Sequence, residues 1–206
     1  MAETIDYFYS HVSPYTYLGH AVFLDMAART GVEVRFRPVN LGLVFPETGG
    51  LPLGQRHPAR QTYRWYELQR WALKRAIPFT FKPAHFPTDP TLADTAALAL
   101  AQAGKNPGAF SGLMLAACWA EEKNIADENV VRDALAKLGE DADAVLAAAA
   151  SDDIKTIYAQ NVTDAINIPA FGAPCFVRDG EPFWGQDRLD LLEDAIVSGR
   201  AAFRPL

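Results

Sequence analysis

The chain opens on a two-residue alternation. Thr4–Tyr9 reads Thr-Ile-Asp-Tyr-Phe-Tyr, an aromatic-rich strand pattern, and residues 32–38 alternate apolar and charged side chains (Val32, Glu33, Val34, Arg35, Phe36, Arg37). Between them the period lengthens. Apolar positions through Phe23, Met26 and Ala27 predict a helix over residues 15–29, stopped by Thr30-Gly31 with Gly31 as its left-handed cap. The result is a strand–helix–strand unit, right-handed if its strands are parallel.

The middle of the chain carries only the longer period. Residues 59–76 predict a helix with Tyr63, Tyr66, Leu68, Trp71 and Leu73 at its apolar positions, stopped by Pro78. Further helices are predicted over 90–103 and 107–124, the second with a stripe of Phe110, Leu113, Met114 and Ala117. Asp127, Asp141 and Ser151 stand as N-caps for three more, the last running to Asn167. The Gly- and Pro-rich stretch 41–58, with Gly49-Gly50-Leu51-Pro52, predicts a functional loop, and residues 79–87 an extended, turn-rich segment. Alternation returns at Cys175-Phe176-Val177 and at residues 182–184, with Asp179-Gly180 between them as a hairpin signal, and a last helix reaches Val197. The expected fold class is therefore α/β. One domain is built from residues 1–40 and 150–206, and residues 41–149 form a large helical insertion that carries a substrate-site loop.

Composition narrows the function. The chain has 206 residues, half of them hydrophobic, enough for a sizeable core, and no apolar run long enough to cross a membrane. A net charge of -6 without a basic block argues against nucleic acid as a partner. Cys118 and Cys175 form no close redox or metal motif, and the four histidines show no zinc spacing. With no secretory signal in Met-Ala-Glu-Thr, a reducing cytoplasm is the expected compartment.

Three short motifs carry candidate chemistry. Ser13-Pro14 is a common helix start, an N-cap followed by proline at N1. It also stands where a thioredoxin-type redox enzyme carries the first residue of its Cys-x-x-Cys pair, at a helix N-terminus whose free N–H groups and dipole favour a thiolate. With Ser13 and Thr16 in place of cysteines, the chain cannot exchange disulfides but can hydrogen-bond another molecule's thiolate. Ala173-Pro174, after Gly172 and before a hydrophobic strand, stands where that fold keeps a cis proline and offers the preceding backbone to an extended ligand. Gly185-Gln186-Asp187-Arg188 opens the last helix, with Asp187 able to accept from an ammonium group and Gln186 to bind a carboxylate. His11, His57 and His85 are acid–base candidates, each more simply read as a surface or structural imidazole, and His20 has no motif support. Cys175 adjoins the proline but reads best as a small buried strand residue, and Cys118 as core. Trp65, Trp71, Tyr63 and Tyr66 could wall an aromatic pocket, although their helical spacing predicts that at least half are core.

Taken in order, Tyr7-Phe8-Tyr9, Ser13-Pro14-Tyr15-Thr16-Tyr17-Leu18-Gly19, Glu67-Leu68-Gln69-Arg70-Trp71, His85-Phe86-Pro87, Phe171-Gly172-Ala173-Pro174 and Phe183-Trp184-Gly185-Gln186-Asp187-Arg188-Leu189 span nearly the whole chain. On these motifs it resembles the 2-hydroxychromene-2-carboxylate isomerase family, which shares a DsbA-like thioredoxin fold with kappa-class glutathione transferases. The resemblance implies glutathione as cofactor, an aromatic carboxylate as substrate and a cytoplasmic homodimer. It implies Ser13 facing the glutathione sulfur, Ala173 and Pro174 as the cis-proline pair, and Gln186, Asp187 and Arg188 at the γ-glutamyl end. Arg60 stands where many relatives have a lysine, and by that correspondence is a cofactor-binding residue able to hold a carboxylate, while residues 51–56 depart from the usual asparagine-containing loop. The implied reaction interconverts 2-hydroxychromene-2-carboxylate and trans-o-hydroxybenzylidenepyruvate. A glutathione transferase, a non-catalytic glutathione-binding module and, against the missing cysteines, a disulfide oxidoreductase are the alternatives.

Overall fold

The computed structural model of the chain describes residues 3–205. Strand β1 (Thr4–Tyr9) lies inside a four-stranded sheet of order β2-β1-β3-β4. It pairs in parallel with β2 (Glu33–Pro38), in the register Thr4 opposite Glu33 to Tyr9 opposite Pro38. On its other edge it runs antiparallel to β3 (Cys175–Arg178), which forms a hairpin with β4 (Glu181–Trp184) across Asp179-Gly180. Both faces of this sheet are covered, so the strand period of two sorts β1 between two cores. Ile5, Tyr7 and Tyr9 pack with Phe23 and Met26 of helix α1 (Pro14–Thr30), with Phe176 and Phe183, and with Leu192 and Ala195. Phe8 faces the opposite way, onto Val44, Val162 and Ala165.

Residues 41–48, expected as loop, form helix α2 (Leu41–Thr48). Asn40 caps it by accepting from Gly42 N–H at 2.9 Å, Gly49 closes it at φ 77°, and Val44 is buried against Phe8. Gly42 and Pro46 disguise the helix in the sequence, and the cap and the burial of Val44 hold it. A 3-10 turn (Leu53–Gln55) and open chain lead into α3 (Pro58–Arg75), which ends on Ala76 in the left-handed region, two residues before Pro78.

Helices α4 (Thr91–Gln102), α5 (Gly108–Trp119), α6 (Glu128–Lys137) and α7 (Ala142–Ala149) follow. Their core is Ala96, Leu100, Phe110, Met114, Trp119, Val131 and Leu135. Asp127 and Asp141 cap α6 and α7 through Asn129 N–H and Ala144 N–H. Helix α5 stops at Trp119, five residues short of the expected end at Asn124. The Trp119 carbonyl accepts from Thr80 N–H at 2.6 Å, and Glu122 adopts φ 54°, which turns the chain away. Helix α8 (Asp152–Asn167), capped by Ser151, returns to the sheet, and α9 (Leu189–Ser198) completes the cover of its α1 side. The fold is a thioredoxin-like α/β core with an added helical insertion. Among the described residues no helix is long and apolar enough to cross a membrane.

Candidate active site

The site begins where β1 hands the chain to α1. Ser13 is the N-cap of α1, its Oγ accepting from Thr16 N–H at 3.2 Å, and Pro14 follows inside the first turn. No acidic side chain occupies that turn, so the positive end of the helix dipole meets no negative side chain there. The Ser13 hydroxyl donates to the Ala173 carbonyl at 3.0 Å, across 160 residues of sequence. The Ala173–Pro174 bond is cis, and the Pro174 carbonyl accepts from Gly185 N–H at 2.9 Å. Two hydrogen bonds thus tie three distant segments into one corner. Thr16 Oγ1 and Ser10 Oγ are buried in this corner without partners.

The third segment is a 3-10 turn (Gln186–Arg188) that precedes α9, so Asp187 and Arg188 lie ahead of that helix rather than in its first turn. Gly185 sits at φ 104°, and a β-carbon there would lie 2.3 Å from Asp187 Oδ1. Gln186 is buried, and its Oε1 accepts from Arg75 at 2.9 Å. Its side chain is therefore partly committed to the protein, with the amide NH2 remaining as donor. Gly19 of α1 makes this packing possible, because a β-carbon on it would fall 2.5 Å from Gln186 Cβ.

Helix α3 supplies the cationic wall. Arg60 and Arg64 stand four residues apart and share one helix face, and Arg56 reaches the same cleft from the extended chain just before the His57 cap. His57 caps the helix by accepting from Ala59 N–H at 3.2 Å. These arginines, together with Tyr15, Ala173 and Asp187, line a cleft of about 730 Å³. Gln186, Arg188, Trp71 and Trp184 also face it. A larger groove, about 1130 Å³, lies near Gly31, Arg35 and Lys105 and holds none of these groups. Burial and the neighbouring Arg60 guanidinium lower the Arg56 pKa. Burial, and to a lesser degree Arg56, lower that of Arg64, while the Tyr15 phenol opposes the shift. Desolvation raises the Tyr15 phenol above its usual value.

Of the residues singled out from sequence, Arg60, Ala173, Gln186, Asp187 and Arg188 line this one cleft. Ser13 lies behind Ala173, 5 % exposed, and Pro174 is not part of the lining. The histidines lie elsewhere. His57 is a helix cap, and His85 is exposed. His11 is fully buried, its Nδ1 2.5 Å from Asp94 Oδ1, while Tyr158 donates to Asp94 Oδ2 at 2.7 Å. His20 donates from Nε2 to the Gly108 carbonyl at 2.9 Å and accepts from the Tyr7 hydroxyl at Nδ1, 3.1 Å. A carbonyl can only accept, which fixes that tautomer. Burial pushes the His20 pKa down to about 4. Burial likewise pushes the Cys118 and Cys175 thiols up to about 12, so neither is a thiolate near neutrality. Trp65 and Trp71 pack partly against Leu18 and Leu68, while Tyr63 and Tyr66 stay more than half exposed. Arg64 was not singled out from sequence. The four-residue arginine repeat was the available signal, and it reads equally well as a solvated helix face.

A DSBA-like thioredoxin domain model matches residues 4–197. A 2-hydroxychromene-2-carboxylate isomerase of Sphingobium xenophagum is 31% identical over 199 residues, 96% of this chain and 100% of that one. Glutathione S-transferase kappa 1 of Caenorhabditis elegans is 26% identical over 210 residues, covering 93% and 90%. Among solved structures, a 2-hydroxychromene-2-carboxylate isomerase superposes with a TM-score of 0.80 at 26% identity, covering 95% of each chain.

Proposed function

This chain belongs to the DSBA-like thioredoxin domain family and, within it, to the 2-hydroxychromene-2-carboxylate isomerase family, and from that membership we propose that it is a glutathione-dependent isomerase. Its reaction is the interconversion of 2-hydroxychromene-2-carboxylate and trans-o-hydroxybenzylidenepyruvate. The observation that carries this reading is the Ser13 corner. A serine caps α1 where a redox member would have a cysteine, and its hydroxyl reaches the backbone beside the cis proline.

The residues present fit glutathione. The cleft pairs an acidic side chain, Asp187, with several arginines, the mixed charge that a tripeptide with one ammonium and two carboxylates calls for. Asp187 would accept from the γ-glutamyl ammonium, the Gln186 amide would donate to its carboxylate, and Arg188, already paired with Asp187 at 2.6 Å, would hold that side chain in place. The Ala173 backbone would pair with the cysteinyl unit, and Arg60, exposed on the cleft wall, would take the glycyl carboxylate. When bound, glutathione supplies a thiolate that adds reversibly to a conjugated system and so frees a carbon–carbon double bond to rotate. Ser13 then has a task beyond capping α1. It turns its O–H from the Ala173 carbonyl toward the sulfur and, with the N-terminal dipole of α1, stabilises the anionic form. Tyr15, Trp71 and Trp184 give the aromatic part of the substrate apolar faces.

The test is ultraviolet detection of chromene carboxylate loss with glutathione at substoichiometric concentration, with mass spectrometry for conjugates. Many turnovers with glutathione recovered free are expected. Stoichiometric conjugation would favour a transferase instead, the second reading that the kappa-class relative supports. Disulfide exchange is disfavoured because positions 13 and 16 are Ser and Thr and both cysteines are buried.

A further inference from the structure

The charges around the cleft do not balance locally. Two carboxylates line it, and each already has a cation: Glu67 accepts from Arg70 at 2.6 Å, and Asp187 from Arg188 at 2.6 Å. Arg56, Arg60 and Arg64 line it too, and among the described residues none has a carboxylate within ion-pair distance. Arg56 spends its Nε on the Leu51 carbonyl at 2.8 Å, and Arg60 is exposed to water. Arg64 is different. It is only 7 % exposed, and its guanidinium makes no hydrogen bond to any described residue. Its one close aromatic neighbour in cation–π range is Trp65, with the ring centroid 5.6 Å away. A guanidinium does not deprotonate in a protein, so this is a largely buried charge, open only to the cleft, with no counter-ion among the described residues.

Such a charge points to an anion from outside, and its position says which one. Arg64 lines the same cleft as Tyr15, which sits in the first turn of α1 two residues after Ser13. The tripeptide's γ-glutamyl end is addressed by Asp187 and Gln186, and its glycyl carboxylate needs one cation, which Arg60 supplies. The largely buried Arg64 guanidinium, on the cleft that Tyr15 and Ala173 also line, is left for the second molecule that enters it. We propose that Arg64 is a specificity-determining residue that seats the carboxylate of an aromatic carboxylate substrate, separate from the seats of the tripeptide. This rests on the glutathione reading above.

The experiment uses trans-cinnamate and its methyl ester as probes, titrated by tryptophan fluorescence and calorimetry into the glutathione-saturated protein and its Arg64→Met and Arg64→Lys variants. The wild type should bind the acid at least about tenfold tighter than the ester, as expected for a charge-assisted contact. Arg64→Met should erase that preference and leave glutathione affinity within about threefold, and Arg64→Lys should recover part of it. The ligand-free melting temperature of Arg64→Met should equal or exceed that of the wild type, because an uncompensated buried charge is removed. The proposal is overturned if the wild type shows no preference for the acid, or if Arg64→Met keeps it. Loss of glutathione affinity with the acid preference intact overturns it too, by assigning Arg64 to the tripeptide. A fall in ligand-free melting temperature would make Arg64 a structural residue. If the wild type fails to bind glutathione, the glutathione reading fails, and the same acid–ester comparison without glutathione still decides Arg64.

Discussion

Ser13 holds two roles that can be separated by substitution. As N-cap it satisfies Thr16 N–H, and as hydroxyl donor it reaches Ala173. Ser13→Ala is expected to lower kcat/KM at least about tenfold, since the proposed charge-assisted hydrogen bond to the glutathione sulfur, ~1.5–3 kcal/mol, would be lost, and to cost about 1 kcal/mol of stability as a lost cap. Ser13→Gly keeps most of the capping energy, so steady-state kinetics should show the same loss while urea unfolding shows little change. An unchanged rate in both variants would reduce Ser13 to a helix cap. His20 makes a prediction of a different kind. Its folded pKa lies at about 4, below the 6.5 of a free imidazole, so between these values the unfolded chain binds more protons than the folded one. Its contribution to stability is complete above pH 6.5 and is lost as pH falls toward 4, by about 3 kcal/mol in full. Asp94, whose carboxyl is raised by burial, acts in the opposite sense. The difference in urea-midpoint slope between wild type and His20→Gln from pH 7 to pH 4 isolates the histidine, and equal slopes would reject the buried neutral imidazole.

The close approach of α1 to the turn Gln186–Arg188 decides the shape of one cleft wall. It depends on Gly19, where an added β-carbon meets Gln186 Cβ at 2.5 Å. Backbone on both sides resists, and overpacking of this kind costs about 1–3 kcal/mol, more than the roughly 1 kcal/mol that alanine gains over glycine in a helix. Gly19→Ala should therefore lower the melting temperature and weaken glutathione binding by moving Gln186 and Asp187. Thermal unfolding and calorimetric titration check both, and a variant more stable than wild type would show that the contact yields freely. The same reasoning explains two differences from the sequence-based expectation. Helix α2 exists because Asn40 caps it and Val44 finds a core, and α5 ends early because Thr80 takes the Trp119 carbonyl.

At the scale of the molecule, glutathione linkage tests the whole reading. A ligand bound only by the folded state adds about 2.7 kcal/mol at a hundredfold excess over Kd, so millimolar glutathione should raise the melting temperature by several degrees. No shift would remove the cofactor. The arrangement also accounts for the charge pattern. The chain is net acidic at -6, yet α3 and the chain leading into it turn three arginines into a cleft of about 730 Å³. Low-dielectric walls focus that local positive field on small anions in spite of the overall charge.

The order of strands and helices was legible in the sequence because each element advertises itself locally. The alternation of Thr4–Tyr9, the glycine at 31, the aspartate caps at 127 and 141 and the Asp179-Gly180 turn all act within a few residues. Ser13-Pro14, Ala173-Pro174 and Gly185–Arg188 were visible for the same reason, as short motifs of known backbone habit. What the sequence could not hold was distance. Helix α2 needed Val162 from α8, the end of α5 needed Thr80, and the commitment of Gln186 to Arg75 spans 111 residues. Arg64 shows the difference most plainly. In sequence it is an arginine on an amphipathic helix, where solvent is the default surrounding. Only the tertiary structure takes most of that solvent away, because burial and the lack of a counter-ion among the described residues depend on every neighbour the fold brings in rather than on the residue itself.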